Sequence, residues 1–209
     1  MRVRGLSRAE AMKVGEVEGV LATERCMLSL GLVDPKLTED EVGMWQAYYK
    51  KERLRLFGLL MLTLREQYRY TWARSAEAGF HLARAAATFG DARGGYERVL
   101  PDLERAYTIA RDWSSAGFDP AEVGRAELDW WVARRDPARD SVESVGALIA
   151  REYALIYGVP QERVAEAGRL RADAGALRDK GGAKADWAEV ARRLRASYRS
   201  LHDALAGEL

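Results

Sequence analysis

Apolar residues recur along this chain three and four positions apart, segment after segment, and no stretch shows the strict alternation of a half-buried strand. The last third is the most regular. Val142, Val145, Leu148, Ile149 and Ile156 form one stripe, and Val164, Ala167, Leu170, Ala174 and Leu177 a second. Trp187, Val190, Leu194, Tyr198, Leu201 and Leu205 form a third. Punctuation falls between them. Ser141 or Asp140 opens the first helix and Gly158 closes it; Pro160 begins the second, Gly181-Gly182 breaks the chain, and Asp186 caps the last. Upstream, Leu103, Tyr107, Ala110 and Trp113 stripe a helix with Pro101 in its first turn and Gly117 as its stop. Asp119-Pro120, with Glu122 behind them, starts another helix that ends before Pro137.

The first ninety residues read less sharply. Ser7 with Glu10 is a capping box, in which each side chain accepts from an otherwise orphan backbone N–H, and it predicts a helix to Leu30 closed by Gly31. Thr38 with Glu41 repeats the pattern. From Glu39 to Phe89 there is no proline, so the segment reads as one very long helix or two to three shorter ones. Gly58 and Gly79 are the expected weak points, since glycine costs about 1 kcal/mol against alanine inside a helix. Leu54, Leu56, Phe57, Leu59, Leu60, Met61, Leu62 and Leu64 cover nearly every face, which predicts a central core helix or an oligomer seam. Gly90 to Gly95 is the first convincing loop. The expectation is an all-α protein, an orthogonal or antiparallel bundle of about seven to nine helices. An N-terminal helical region over 1–92 would meet a C-terminal bundle over 93–209, the two able to pack as one domain.

Composition narrows the classes of function. Hydrophobic residues make up 48% of the 209, enough for a sizeable core. Basic residues number 33 and acidic ones 32, so there is no global field to hold nucleic acid or an anionic membrane. The single cysteine, Cys26, excludes an intramolecular disulfide and a thiolate metal cluster within one chain. The start of the chain lacks the apolar run of a signal peptide, and the most apolar stretch, Phe57 to Leu64, is too short to span a bilayer. The reading is a cytoplasmic protein with no membrane span.

Recognisable catalytic chemistry is sparse. Neither His81 nor His202 has a glutamate three positions before it, as a helical di-iron site requires, and there is no phosphate loop or nucleophile elbow. Glu122 and Glu127 stand out of phase, and Glu39, Asp40 and Glu41 read as first-turn charges favoured by the helix dipole. No carboxylate is assigned acid–base work, no catalytic residue is assigned, and no metal or cofactor is expected.

The densest aromatic and basic cluster is Asp129-Trp130-Trp131-Val132-Ala133-Arg134-Arg135. Trp130 and Arg134 stand four apart, as do Trp131 and Arg135, a spacing at which a guanidinium can cover an indole. Adjacent helical residues point about 100° apart, so one helix cannot bury both tryptophans against the same neighbour. Aromatics belong to cores by default, yet Trp and Arg are also the enriched anchors of interfaces. Tyr68 and Trp72, on a shared face, and Tyr153 and Tyr157, one turn apart, form two further clusters. If these helices meet, they make a pocket edged by hydroxyls and guanidiniums that suits a planar or amphipathic anion. The expected function is non-enzymatic interaction or assembly, as a homo-oligomer or with a protein partner. The alternative is a small-molecule binding protein or enzyme whose pocket is lined by these Trp, Tyr and Arg side chains.

Overall fold

The computed structural model describes residues 35–50, 52–114 and 116–206. The helix expected from Ser7 to Leu30, its Gly31 stop and Cys26 lie outside them. Among the described residues the chain forms eight α-helices and no strand: α1 (Pro35–Tyr49), α2 (Arg53–Tyr68), α3 (Trp72–Asp91), α4 (Leu100–Ser114), α5 (Pro120–Ala133), α6 (Val142–Tyr157), α7 (Ala165–Gly181) and α8 (Trp187–Ala206). The all-α bundle expected from periodicity is the fold observed. Each helix packs on its neighbours in sequence, and α1 also meets α8.

The predicted punctuation of the later helices is reproduced. Ser141 Oγ accepts from the Ser144 N–H at 3.1 Å, Asp186 Oδ1 from the Glu189 N–H at 3.1 Å, and Asp119 Oδ1 from the Ala121 N–H at 2.8 Å. Gly158 ends α6 in the left-handed conformation, at φ 65°. The largest core lies here, with Val145 and Ile149 of α6, Val164, Ala167 and Ala174 around α7, and Val190, Leu194 and Leu201 of α8. Small residues let α6 and α7 approach almost backbone to backbone. A Cβ on Gly146 would stand 2.8 Å from Arg169 Cα, and one on Gly168 would stand 2.8 Å from Ala150 N.

The first three helices depart from expectation. α1 begins at Pro35, whose fixed φ suits a first turn, so Thr38 and Glu41 lie inside the helix, 1% and 4% exposed, and do not cap it. The breaks fall between Tyr49 and Arg53 and at Arg69–Thr71, while Gly58 and Gly79 remain helical. Arg69 takes a left-handed φ of 51°, and Thr71 Oγ1 accepts from the Arg74 N–H at 3.3 Å. Local capping chemistry therefore decides the break. A Cβ on Gly79 would make ordinary contact with Met61 Cγ at 3.4 Å and one on Gly58 would meet nothing, so nothing in the structure explains either glycine. The same break separates Tyr68 from Trp72, so the two do not share a helix face. α2 is also not the central core helix. Leu54 is 89% exposed and Leu62 42%, because α2 packs mainly on α1 and α3 and leaves one side open.

Candidate functional site

Trp130 and Trp131 leave the last turns of α5 in different directions, as adjacent helical residues must. Trp131 meets Phe89 of α3 with ring centroids 5.1 Å apart. Trp130 Nε1 donates to Glu152 Oε2 of α6 at 2.5 Å. Beside them α1, α2, α3, α5 and α7 line a cavity of about 500 Å³ that opens to solvent. Its walls are largely apolar: Met44, Trp45 and Tyr48 from α1, Leu56 and Leu60 from α2, Leu82, Ala86 and Phe89 from α3, and the two tryptophans of α5.

Four guanidiniums reach this cavity, those of Arg134, Arg135, Arg171 and Arg178, together with the carboxyls of Glu41, Glu127 and Asp179. Arg134 pairs with Asp179 across to α7. Its head takes the space a side chain at Gly175 would fill, since a Cβ there would lie 2.8 Å from Arg134 Cζ. Arg178 covers the Trp45 ring at 4.2 Å. Arg135 covers Phe89 at 3.9 Å and not Trp131 four residues before it. The reason is the end of α3: Arg135 donates to the carbonyls of Phe89 at 2.8 Å and of the C-cap residue Ala92 at 3.1 Å.

Beside the cavity stand an ion pair and a carboxyl pair. Arg171 Nη2 donates to Glu41 Oε1 at 2.5 Å, and the Tyr198 hydroxyl donates to Glu41 Oε2. Glu41 and Arg171 side chains are 6% and 20% exposed, so this pair ties α1 to α7 and α8 away from screening water. Next to it, Glu152 accepts from the Tyr107 hydroxyl at 2.9 Å as well as from Trp130. Glu127 of α5 lines the cavity, and its Oε2 is buried without a hydrogen-bond partner.

Burial, reinforced by the charge of Glu152 and opposed by hydrogen bonding from Tyr107 and Trp131, pushes the Glu127 carboxyl up to about 8, so it is largely protonated at neutral pH. Burial also raises Glu152, against the hydrogen bonds from Tyr107 and Trp130 that favour its charged form. Arg171 is the cation whose field reaches both acids, but its hydrogen bonds go to Glu41 and the Tyr198 hydroxyl. Burial pushes the phenols of Tyr68 and Tyr153 up to about 12 and raises that of Tyr157 strongly, so all three are neutral hydroxyls at physiological pH.

Of the residues singled out by sequence, Trp130, Trp131, Arg134 and Arg135 come together on the cavity wall. Tyr68, Tyr153 and Tyr157 do not line the cavity but stand within electrostatic reach of Glu152. Trp72 is 55% exposed, lies under the Arg65 guanidinium at 4.4 Å, and takes no part in the cavity. Sequence reasoning missed Glu41, Glu127, Glu152 and Arg171. A signal for two of them was present: Glu152 follows Val145 and Ile149 by seven and three residues, and Glu127 follows Val123 by four. Both acids therefore sit on apolar stripes, where a solvated carboxylate does not belong.

His81 is structural: its Nδ1 lies 2.7 Å from Asp102 Oδ1, and Arg84 holds the other carboxylate oxygen at 2.7 Å. Among the described residues no group of three or more His, Cys, Asp and Glu side chains could hold a metal ion, and no helix is long and apolar enough to cross a membrane. No known protein family, curated protein or solved structure matches the chain.

Proposed function

We propose that this protein binds a small amphipathic molecule with an anionic group in the cavity among α1, α2, α3, α5 and α7. The observation that carries this reading is the chemistry of the lining. An aromatic and aliphatic wall lines about 500 Å³, within the range of small-molecule sites. Four arginines and three acids line it, and Arg134 and Arg178 share the single carboxyl of Asp179, so the lining carries an excess of positive groups that favours an anion. The tryptophans support a pocket wall over an external anchor, because Trp131 packs on Phe89 and the Trp130 N–H is satisfied by Glu152.

Calorimetry and tryptophan emission, titrated with straight-chain carboxylates of eight to twelve carbons and with naphthoate, test the proposal. One-to-one saturable binding is expected, with loss of affinity in Ala86→Phe, which fills the cavity. Unchanged heat and emission across the whole panel would sink it. A second reading, contact with another protein through α3, is favoured by Trp72 and Phe80, 55% and 50% exposed on one helix. A concentration-dependent rise in mass, abolished by Trp72→Ala, would support it; a monomer at all concentrations with no partner captured would remove it.

A further inference from the structure

We propose that a second copy of this chain docks on the outward face of α2, antiparallel and two-fold symmetric, with Gly58 of both copies at the crossing. α2 packs mainly on α1 and α3 and leaves one side open, where Leu54 is 89% and Leu62 42% exposed. Gly58 stands four residues from each of them, so the three form one row along the helix. Glycine weakens a helix interior, yet a Cβ on Gly58 would meet nothing within 4 Å. No neighbour in its own chain needs the space this residue leaves. The face is separate from the cavity, to which α2 turns Leu56 and Leu60.

The packing of α6 on α7 shows what such a glycine does. At Gly146 and Gly168 the missing side chains let two backbones meet, and a Cβ on either would clash. Gly58 offers the same approach to a helix from outside. Its row is also self-complementary. When two copies of α2 cross antiparallel at Gly58, Leu54 of one copy lies over Leu62 of the partner subunit, about 6 Å from the crossing, and the same contact repeats on the other side. One two-fold operation satisfies both contacts, which makes the occupant a second copy. No charged side chain interrupts the row, and Arg55 beside it is paired with Glu52 at 2.8 Å. Phe80 of α3, 50% exposed, widens the apolar face, because its neighbour Gly79 lies against Met61 and Phe57 of α2. The two helices, about 24 and 30 Å long and about 10 Å wide, offer at most about 540 Å² per copy, the size of a reversible contact and not of an obligate dimer.

Sedimentation equilibrium of the full chain between about 1 and 200 µM tests the contact. A reversible dimer is expected, weakened at least about tenfold by Gly58→Leu, whose side chain occupies the crossing. That side chain meets nothing within its own chain and favours the helix, so the dilute variant should unfold at a higher urea concentration than the parent. Lost association is then not a folding defect. Trp72→Ala, which would dissolve a contact made through α3, should change the dimer constant by less than about threefold. Orientation is read from disulfides in chains that also carry Cys26→Ser. Leu54→Cys and Leu62→Cys chains should crosslink when mixed under a mild oxidant, and neither should crosslink alone, because like positions stand about 12 Å apart in the antiparallel pair. A monomer at every concentration would overturn the proposal. So would a dimer that Gly58→Leu leaves intact, one that Trp72→Ala alone dissolves, or any crosslinking pattern other than the mixed one.

Discussion

The two sides of the molecule solve the same packing problem in opposite ways. Along α6, α7 and α8 the stripes are mainly aliphatic, with Tyr153 and Tyr198 among them, and glycines and alanines let α6 and α7 approach backbone to backbone, so the space between the helices is filled. Around α1, α2, α3 and α5 the stripes carry tryptophan, phenylalanine and long arginines, and the helices stand off around a cavity. The helical period is the same on both sides. The size and polarity of the residues that occupy it decide whether helices close on one another or leave a room between them.

The sharpest way to break this contrast is at the ion pair that joins the sides. Arg171→Met strands Glu41 as an unpaired buried charge and is expected to cost about 3–5 kcal/mol. Replacing both partners with apolar residues should restore most of the loss, as read from urea midpoints. Matched truncations come next. Leu194→Ala, in the filled core, should cost about 2–5 kcal/mol, whereas Leu60→Ala only widens an existing space and should cost about 1 kcal/mol. Equal losses would mean that the two sides do not differ as described.

The carboxyl pair gives an effect spread over several pH units. The folded-state value of Glu127, about 8, lies above its ordinary 4.5, so the folded protein holds a proton that the unfolded chain has released between those limits. Stability should fall as pH rises through this window, by up to about 1.4 kcal/mol per unit for one such group, and level off above it. Glu127→Gln should flatten that slope and leave the protein more stable than the parent at pH 9, measured by denaturation at pH 5, 7 and 9. The smallest effect is expected at Trp72→Ala, on the exposed side of α3, where the loss should stay near 0.5 kcal/mol.

The fold was legible because periodicity and capping are local. Ser141, Asp119, Asp186 and Gly158 do their work within one turn of their own positions, and each acts as its sequence context indicates. Thr71 and Arg69 are equally local but went unread, because the glycines at 58 and 79 offered a stronger propensity argument. The site was half legible. Trp130, Trp131, Arg134 and Arg135 stand out by density alone. Glu41 and Arg171 do not, because the charge that justifies each is 130 residues away and mixed charges are otherwise the mark of a solvated helix. Glu127 and Glu152 could have been suspected from their apolar register, but which oxygen lacks a partner depends on where α4 and α6 deliver Tyr107 and Glu152 itself.

The bond from Tyr198 to Glu41 spans 157 positions of the chain. Contacts between neighbouring helices require only short loops to close, but this one requires α8 to find α1 after nearly everything between them has been laid down. The room beside it has walls from α1 at one end of the described chain and from α7 near the other. Molecules in which α1 has not yet met α7 therefore lack that room, however helical they are.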